Sequence, residues 1–167
     1  MKRRSVALNG SISRALTAHL LRADGQEDLC FITWKPSTGL RRTTALLESL
    51  ILPEPGERHV HGNASFEADY LMRAAQVAGQ RGSGLALAHS HPGGRGWQLL
   101  SDLDYTAEAQ IANVARGLTG FPLLGLTLAG EGSWSGRFWE GKGSVVRPSA
   151  CEAVRVIGDT LQVSFND

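Results

Sequence analysis

The chain has 167 residues and a formal net charge of +1. That length reads as one domain spanning 1–167, large enough to bury a core without disulfide or metal staples, and the near-neutral charge gives no electrostatic case for a nucleic-acid partner. No apolar run approaches the roughly 20 residues that cross a bilayer, and Ser5-Val6-Ala7-Leu8-Asn9-Gly10, behind the basic Lys2-Arg3-Arg4, is too short for a secretory h-region. A soluble, cytoplasmic protein without a membrane partner is expected. Cys30 and Cys151 sit far apart in apolar stretches with no Cys-x-x-Cys pair, which points to a reducing compartment and ordinary core roles. Lys2-Arg3-Arg4 and Arg41-Arg42 read as solvated.

After the Gly10-Ser11 break, Ile12, Ala15, Leu16, His19 and Leu20 recur at helical spacing, predicting an amphipathic helix that ends near Ala23-Asp24-Gly25. His19 falls on the apolar stripe and reads as a satisfied core or boundary residue rather than a ligand. Residues 27–34 predict a strand, Pro36-Ser37-Thr38-Gly39 a turn, and 43–52 a second, long strand stopped by Pro53 and Pro55. Residues 58–61 are extended. Ser65 can then cap a helix with Glu67 and Asp69 in its first turn and Phe66, Tyr70, Ala74 and Val77 inward, closed by Gly79 and Gly82-Ser83-Gly84. Residues 85–90 form a short apolar strand. Ser101 opens a third helix with Leu103, Ala107, Ile111 and Val114 on one face and Gly117 as its stop. Residues 123–129 return as a buried strand, and the remainder, through Trp134, Phe138 and Trp139 to a hairpin about Gly158-Asp159, reads as short strands. Strands alternating with helices imply an α/β domain.

The stretch with most chemical content is Ala88-His89-Ser90-His91-Pro92, followed by a Gly-rich loop and Ser101-Asp102-Leu103-Asp104. Histidines at i and i+2 of a strand project from one face with Cα atoms about 6.6 Å apart, a reach suited to two ligands of one tetrahedral ion. A carboxylate across the loop, Asp104 or Asp102, completes a three-ligand set with one open position. Ser101 has two readings that compete for one hydroxyl: a helix cap, or a donor to an oxyanion near the metal.

Rival sites are visible too. His59-Val60-His61 repeats the i, i+2 spacing with Glu57 on the same strand face, but no Pro and no Ser-x-x-Asp follow. Glu48 is a rival general base, adequately explained as a charge on the exposed face of an edge strand. Trp97 is either a substrate-contacting aromatic, which its place between the ligands favours, or an anchor ordering the loop. Trp134 and Trp139 read as packing residues.

Together, Glu27 at the head of its strand, His89-Ser90-His91-Pro92 and Ser101-x-x-Asp104 resemble the JAMM (MPN-plus, or JAB-type) zinc metalloproteases, whose signature is a distant glutamate, His-x-His-Pro and Ser-x-x-Asp. The resemblance runs from the first helix to about Trp139. It implies a JAB/MPN-like α/β fold with a mixed, curved β-sheet flanked by helices, Zn2+ held by His89, His91 and Asp104, Glu27 as general acid/base, and Ser101 as oxyanion donor. Many family members place ten residues between the second histidine and the aspartate, which lands on Asp102 here, whereas twelve reach Asp104. Asp104 is preferred because it keeps the Ser-x-x-Asp relation while loop glycines absorb the extra length; Asp102 stays the alternative.

The form from His89 to Gln98, with Glu108 downstream, looks most like the bacterial branch encoded beside ubiquitin-like activating and conjugating enzymes, as in antiviral Bil-type operons. What this implies is a deubiquitinase-like isopeptidase whose partners are a ubiquitin-like modifier, its conjugates, and the activating and conjugating enzymes of the same operon. A hydrolase of a sulfur-carrier or small conjugate, and a non-catalytic scaffold of the same fold, are the other readings. The scaffold predicts missing ligands. A DNA-associated branch of the fold predicts a clearer basic surface than +1 offers.

Overall fold

The computed structural model describes residues 3–141, 145–158 and 161–166. A mixed, curved nine-stranded sheet with three flanking helices forms the body of the molecule. The strands are β1 (Arg3–Asn9), β2 (Leu29–Thr38), β3 (Arg42–Ile51), β6 (Gly84–His91), β7 (Leu123–Ala129), β8 (Trp134–Glu140), β9 (Arg147–Ala150), β10 (Ala153–Ile157) and β11 (Leu161–Phe165), in the spatial order β11-β10-β1-β3-β2-β6-β7-β8-β9. A separate two-stranded ribbon joins β4 (Arg58–His61) to β5 (Asn63–Phe66). The helices are α1 (Gly10–Leu20), α2 (Ala68–Gln80) and α3 (Asp102–Thr119).

Strand parity divides the molecule into two cores. Cys30, Ile32 and Trp34 of β2 and Ala86 and Ala88 of β6 face α1, packing with its Ile12, Leu16 and Leu20. Leu29 and Phe31, with Leu85 and Leu87, face the other way, onto Tyr70, Ala74 and Ala78 of α2 and Ile111, Ala112 and Ala115 of α3. Because side chains alternate along a strand, His89 and His91 share the parity of Leu85 and Leu87 and emerge on the α3 side. Cys30 and Cys151 are buried free thiols, as expected of core residues.

Several elements depart from the sequence expectation. β1 carried no strand prediction, yet it lies inside the sheet, parallel to both β3 and β10. Its Ser5 to Leu8 are all buried, so it lacks the period-two alternation that betrays a half-buried strand. α1 ends at Leu20, before the predicted Ala23-Asp24-Gly25 stop, and Ala15 is exposed. The expected turn at Pro36 is instead strand: β2 runs to Thr38, paired with β3. Pro36 is tolerated because the β6 partner register ends at Trp34↔Gly84, so its missing N–H faces an unpaired side.

Ser65 does not cap α2. The chain stays extended through β5, Glu67 N donates to Glu57 O at 2.8 Å, and the helix begins at Ala68 behind Glu67, whose side chain makes no cap bond. α3 runs through Gly117 to Thr119 and stops at Gly120, which takes the left-handed conformation (φ 76°). Its predicted stripe is also shifted. Leu103 is 71% exposed and Ala107 is exposed, while Glu108 takes an inward position beside Ile111, Ala112 and Ala115. In the first turns of α3, Leu103 and Ala107 border a cleft, while Asp104 faces the histidines of β6 and Tyr105 packs edge-on against Trp139 of β8. The basic runs are not simply solvated: Arg4 pairs with Glu140 and Arg42 with Glu152. β10 and β11 pair antiparallel, and the turn residue Asp159 of the predicted hairpin lies outside the described residues. Among the described residues, no helix is long and apolar enough to cross a membrane.

Candidate metal centre

His89 and His91 leave the C-terminal end of β6, between β2 and β7. The antiparallel register Leu29↔His89 sets what stands opposite. Continued by two residues, it brings Glu27 across from His91, and two bonds fix that alignment: Ser90 N donates to Asp28 O at 3.0 Å, and Asp28 N to Ser90 Oγ at 3.0 Å. The residue between the two histidines is thus clamped to the residue beside Glu27. The Asp28 carboxylate is itself buried against Arg58, with Arg22 Nη1 at 3.4 Å and His19 Nε2 at 3.7 Å. His19, which also lies 2.9 Å from Leu29 O through Nε2, is the satisfied boundary residue its stripe position suggested.

Asp104 arrives from the first turn of α3. A reciprocal cap holds it: Asp104 N donates to Ser101 Oγ at 3.1 Å, while Ser101 N and the Ser101 hydroxyl donate to Asp104 Oδ2 at 3.1 and 2.6 Å. The two readings of Ser101 are therefore less opposed than the sequence suggested. Capping the helix is also what positions Asp104.

The imidazole Nε2 atoms of His89 and His91 are 3.3 Å apart, Asp104 Oδ2 is 3.4 Å from His91 Nε2, and Asp104 Oδ1 is 3.7 Å from His89 Nε2. A tetrahedral ion with ligand bonds of about 2.0–2.1 Å has ligand-to-ligand edges of roughly 3.3–3.4 Å, so three donors already stand at nearly the separations zinc requires. These three are the one group of His, Cys, Asp or Glu side chains that could hold a metal ion among the described residues. Two neutral nitrogens and one carboxylate oxygen fit zinc and leave a fourth position for water or substrate. The residues present fit the ion.

The electrostatics agree. Burial, aided by the nearby Arg137 charge, pushes the His89 pKa down to about 3, keeping a lone pair free. The bond to Asp104 raises that of His91. Burial alone would raise Asp104, but the bond to His91, the charge of His89 and the bonds from Ser101 outweigh it and hold the carboxyl well below the usual range. Partial burial raises Glu27, with Asp104 adding and His91 opposing. Glu27 and Asp104 line two adjoining spaces, one bounded by His89, Leu29 and Leu87, the other by His91, Ser101 and the ribbon residues Asn63, Ala64 and Ser65. The ribbon is tied there, since Glu27 N donates to Gly62 O at 3.0 Å and Gly62 N to Gln26 Oε1 at 2.8 Å.

Other expectations fare differently. Asp102 is exposed and outside the cluster. His59 bonds Glu67 at 2.7 Å, Glu57 is taken by Arg73, and His61 is exposed, so the second histidine pair assembles no site. Glu48 is exposed and accepts from Ser83 Oγ at 2.8 Å, but its strand is an interior one rather than an edge; the β1 register ends at Leu46, before Glu48. Trp97 packs on the α1-side core and lines clefts beyond the site, which supports the anchor and not the substrate contact. Trp134 and Trp139 are buried.

Sequence reasoning missed the network behind His89. Glu108, 1% exposed, takes a forked bond from Arg137, a bond from Trp139 Nε1, and lies 3.9 Å from His89 Nδ1. Arg137 Nη1 also donates to Thr127 Oγ1 at 2.9 Å. Gly125 makes the room, since a Cβ there would fall 2.3 Å from Glu108 Oε2. The signal was present: a glutamate four residues after Asp104, a glycine in the largely apolar strand β7, and an arginine between the apolar ends of β8.

No protein-family model and no curated protein matches the chain. Fold and site define an α/β protein with a His-His-Asp cluster fit for a metal, an arrangement consistent with a hydrolase.

Proposed function

We propose that the chain is a zinc-dependent isopeptidase of the JAMM type, cleaving after the C-terminal tail of a ubiquitin-like modifier. The observation that carries the reading is the cluster in which His89 Nε2 and His91 Nε2 stand 3.3 Å apart and the Asp104 carboxylate faces both, Oδ2 at 3.4 Å from His91 and Oδ1 at 3.7 Å from His89, with Glu27 lining the spaces beside both histidines. Zinc bound there supplies Lewis acidity and lowers the pKa of water from about 15.7 towards 7. Glu27 takes a proton from the attacking water and hands it to the departing amine, a lysine ε-amine or a chain N-terminus. Ser101 turns its hydroxyl from Asp104 Oδ2 to the carbonyl oxygen as charge develops there, while its backbone N–H keeps hold of Asp104. The tail lies extended beside β5, its main chain adding to the ribbon edge, and the narrow space between ribbon and α3 favours small residues such as glycine.

The test joins metal analysis to an assay with fusions of a ubiquitin-like protein. About one zinc per wild-type chain, and cleavage after the modifier tail that disappears in Glu27→Ala while the zinc remains, is the expected result. A wild type without zinc after resupply, or a zinc-loaded one inert towards every such fusion, overturns the proposal.

A further inference from the structure

The loop between the histidines and α3 carries a side chain with no role so far. Gln98 Oε1 lies 3.3 Å from His91 Nδ1, and its amide orientation is not free: Nε2 donates to Arg95 O at 2.8 Å and to Gly96 O at 3.1 Å. Flipping the amide would set its oxygen against two carbonyl oxygens and its nitrogen against the ring. With an acceptor fixed at Nδ1, that ring nitrogen must carry the proton, and the lone pair of neutral His91 is left on Nε2, the atom that faces His89 and Asp104.

We infer that Gln98 is a positioning residue that locks His91 in its Nδ1–H tautomer and ring orientation, presenting Nε2 to a divalent metal. The inference rests on the metal reading of the site and deepens it. Two local features support a built arrangement. Gln98 N donates to Ser135 Oγ of β8 at 2.6 Å, which anchors the backbone from outside the loop. Gly94 leaves the amide its place, since a Cβ at Gly94 would come 2.4 Å from Gln98 Oε1. The backbone of Gly94 is not in the left-handed region, so Gly94→Ala evicts the amide without straining the chain. Behind His89 stands a different group, the Glu108–Arg137 pair, with Glu108 Oε1 3.9 Å from His89 Nδ1.

The test measures Zn2+ affinity by chelator competition in the full chain, together with the nuclear magnetic resonance signal of the His91 ring N–H in the zinc-loaded protein. Gln98→Met removes the acceptor at similar volume, Gly94→Ala displaces it, and Ser135→Ala loosens the loop anchor while sparing the amide. Loss of an outer partner of a ligating histidine typically weakens metal binding about 10–100-fold. That loss is expected in Gln98→Met and Gly94→Ala, with the ring N–H signal broadened by exchange, and Ser135→Ala should stay within about threefold of wild type. Equal affinities in wild type and Gln98→Met, or an equal loss in Ser135→Ala, would overturn the role of Gln98. A wild type that binds no zinc would instead overturn the metal site itself.

Discussion

The chain contains two His-x-His pairs on strands, His59/His61 and His89/His91, with identical spacing and different fates. β6 sits inside the nine-stranded sheet, so the segment leading into β2 presents Glu27 on one side and α3 presents Asp104 above. β4 belongs to a two-stranded ribbon with nothing comparable over it, and its histidines reach Glu67 or solvent. Spacing brings two nitrogens to one face; the third donor depends on what the tertiary fold puts opposite them. The difference also concerns order. An interior strand holds its histidines against fixed neighbours, and metal sites need donors held in place.

The sharpest way to break this comparison is to move the metal. Asp104→Ala should reduce bound zinc from about one per chain to background, a larger loss than the roughly 10–100-fold that follows from removing an outer partner. Asp102→Ala and His61→Ala should retain it, with metal analysis after dialysis as the measurement. Zinc lost in His61→Ala and kept in Asp104→Ala would reverse the two pairs. Glu27→Ala should keep the metal and lose activity by about 10²- to 10⁴-fold, the usual contribution of a positioned acid/base, measured as kcat/KM on a fusion substrate. A variant as active as wild type would remove Glu27 from the chemistry.

The pairs differ in their support as well. The Glu108–Arg137 pair behind His89 is buried, at 1% and 6% residue exposure. Removing one partner of such a pair strands the other charge out of water and typically costs 3–5 kcal/mol. Glu108→Ala should therefore lower unfolding free energy by about 4 kcal/mol in denaturant titration. A loss below about 1 kcal/mol would mean that Arg137 finds water or another partner once Glu108 is gone.

Much of the site could be read before the fold was known, because its parts are local. His89 and His91 lie two apart on a strand, and Ser101 and Asp104 span one helical turn, so period alone places each pair. The strands β3, β4, β6 and β7 were likewise evident within a residue or two. What escaped was non-local or unpatterned. β1 is buried on both faces and shows no alternation, and β5 is extended only because β4 pairs with it, so Ser65 looked like a cap. Glu108 entered the sequence reading only as part of a family resemblance, and its burial showed only once Gly125 and Arg137, more than a dozen residues further on, closed around it. Gln98 showed no signal of its own beyond following a Gly-rich loop. Its meaning comes from the carbonyls of Arg95 and Gly96 and from the ring they aim it at.

The smallest effect belongs to the ribbon. His59 and Glu67 are bonded at 2.7 Å, but their side chains are 44% and 59% exposed. An ion pair so open to solvent contributes about 0–1 kcal/mol, because water screens it and both side chains lose rotamer freedom in forming it. His59→Ala should thus leave unfolding free energy within about 1 kcal/mol of wild type and zinc content unchanged. It can still alter cleavage, since β4 pairs with β5, whose Asn63, Ala64 and Ser65 line the cleft. If the ribbon receives an extended substrate tail, His59→Ala should raise KM modestly and leave kcat alone; a fall in kcat with KM unchanged would place the ribbon's influence on the reacting groups, through the Gly62 contact to Glu27.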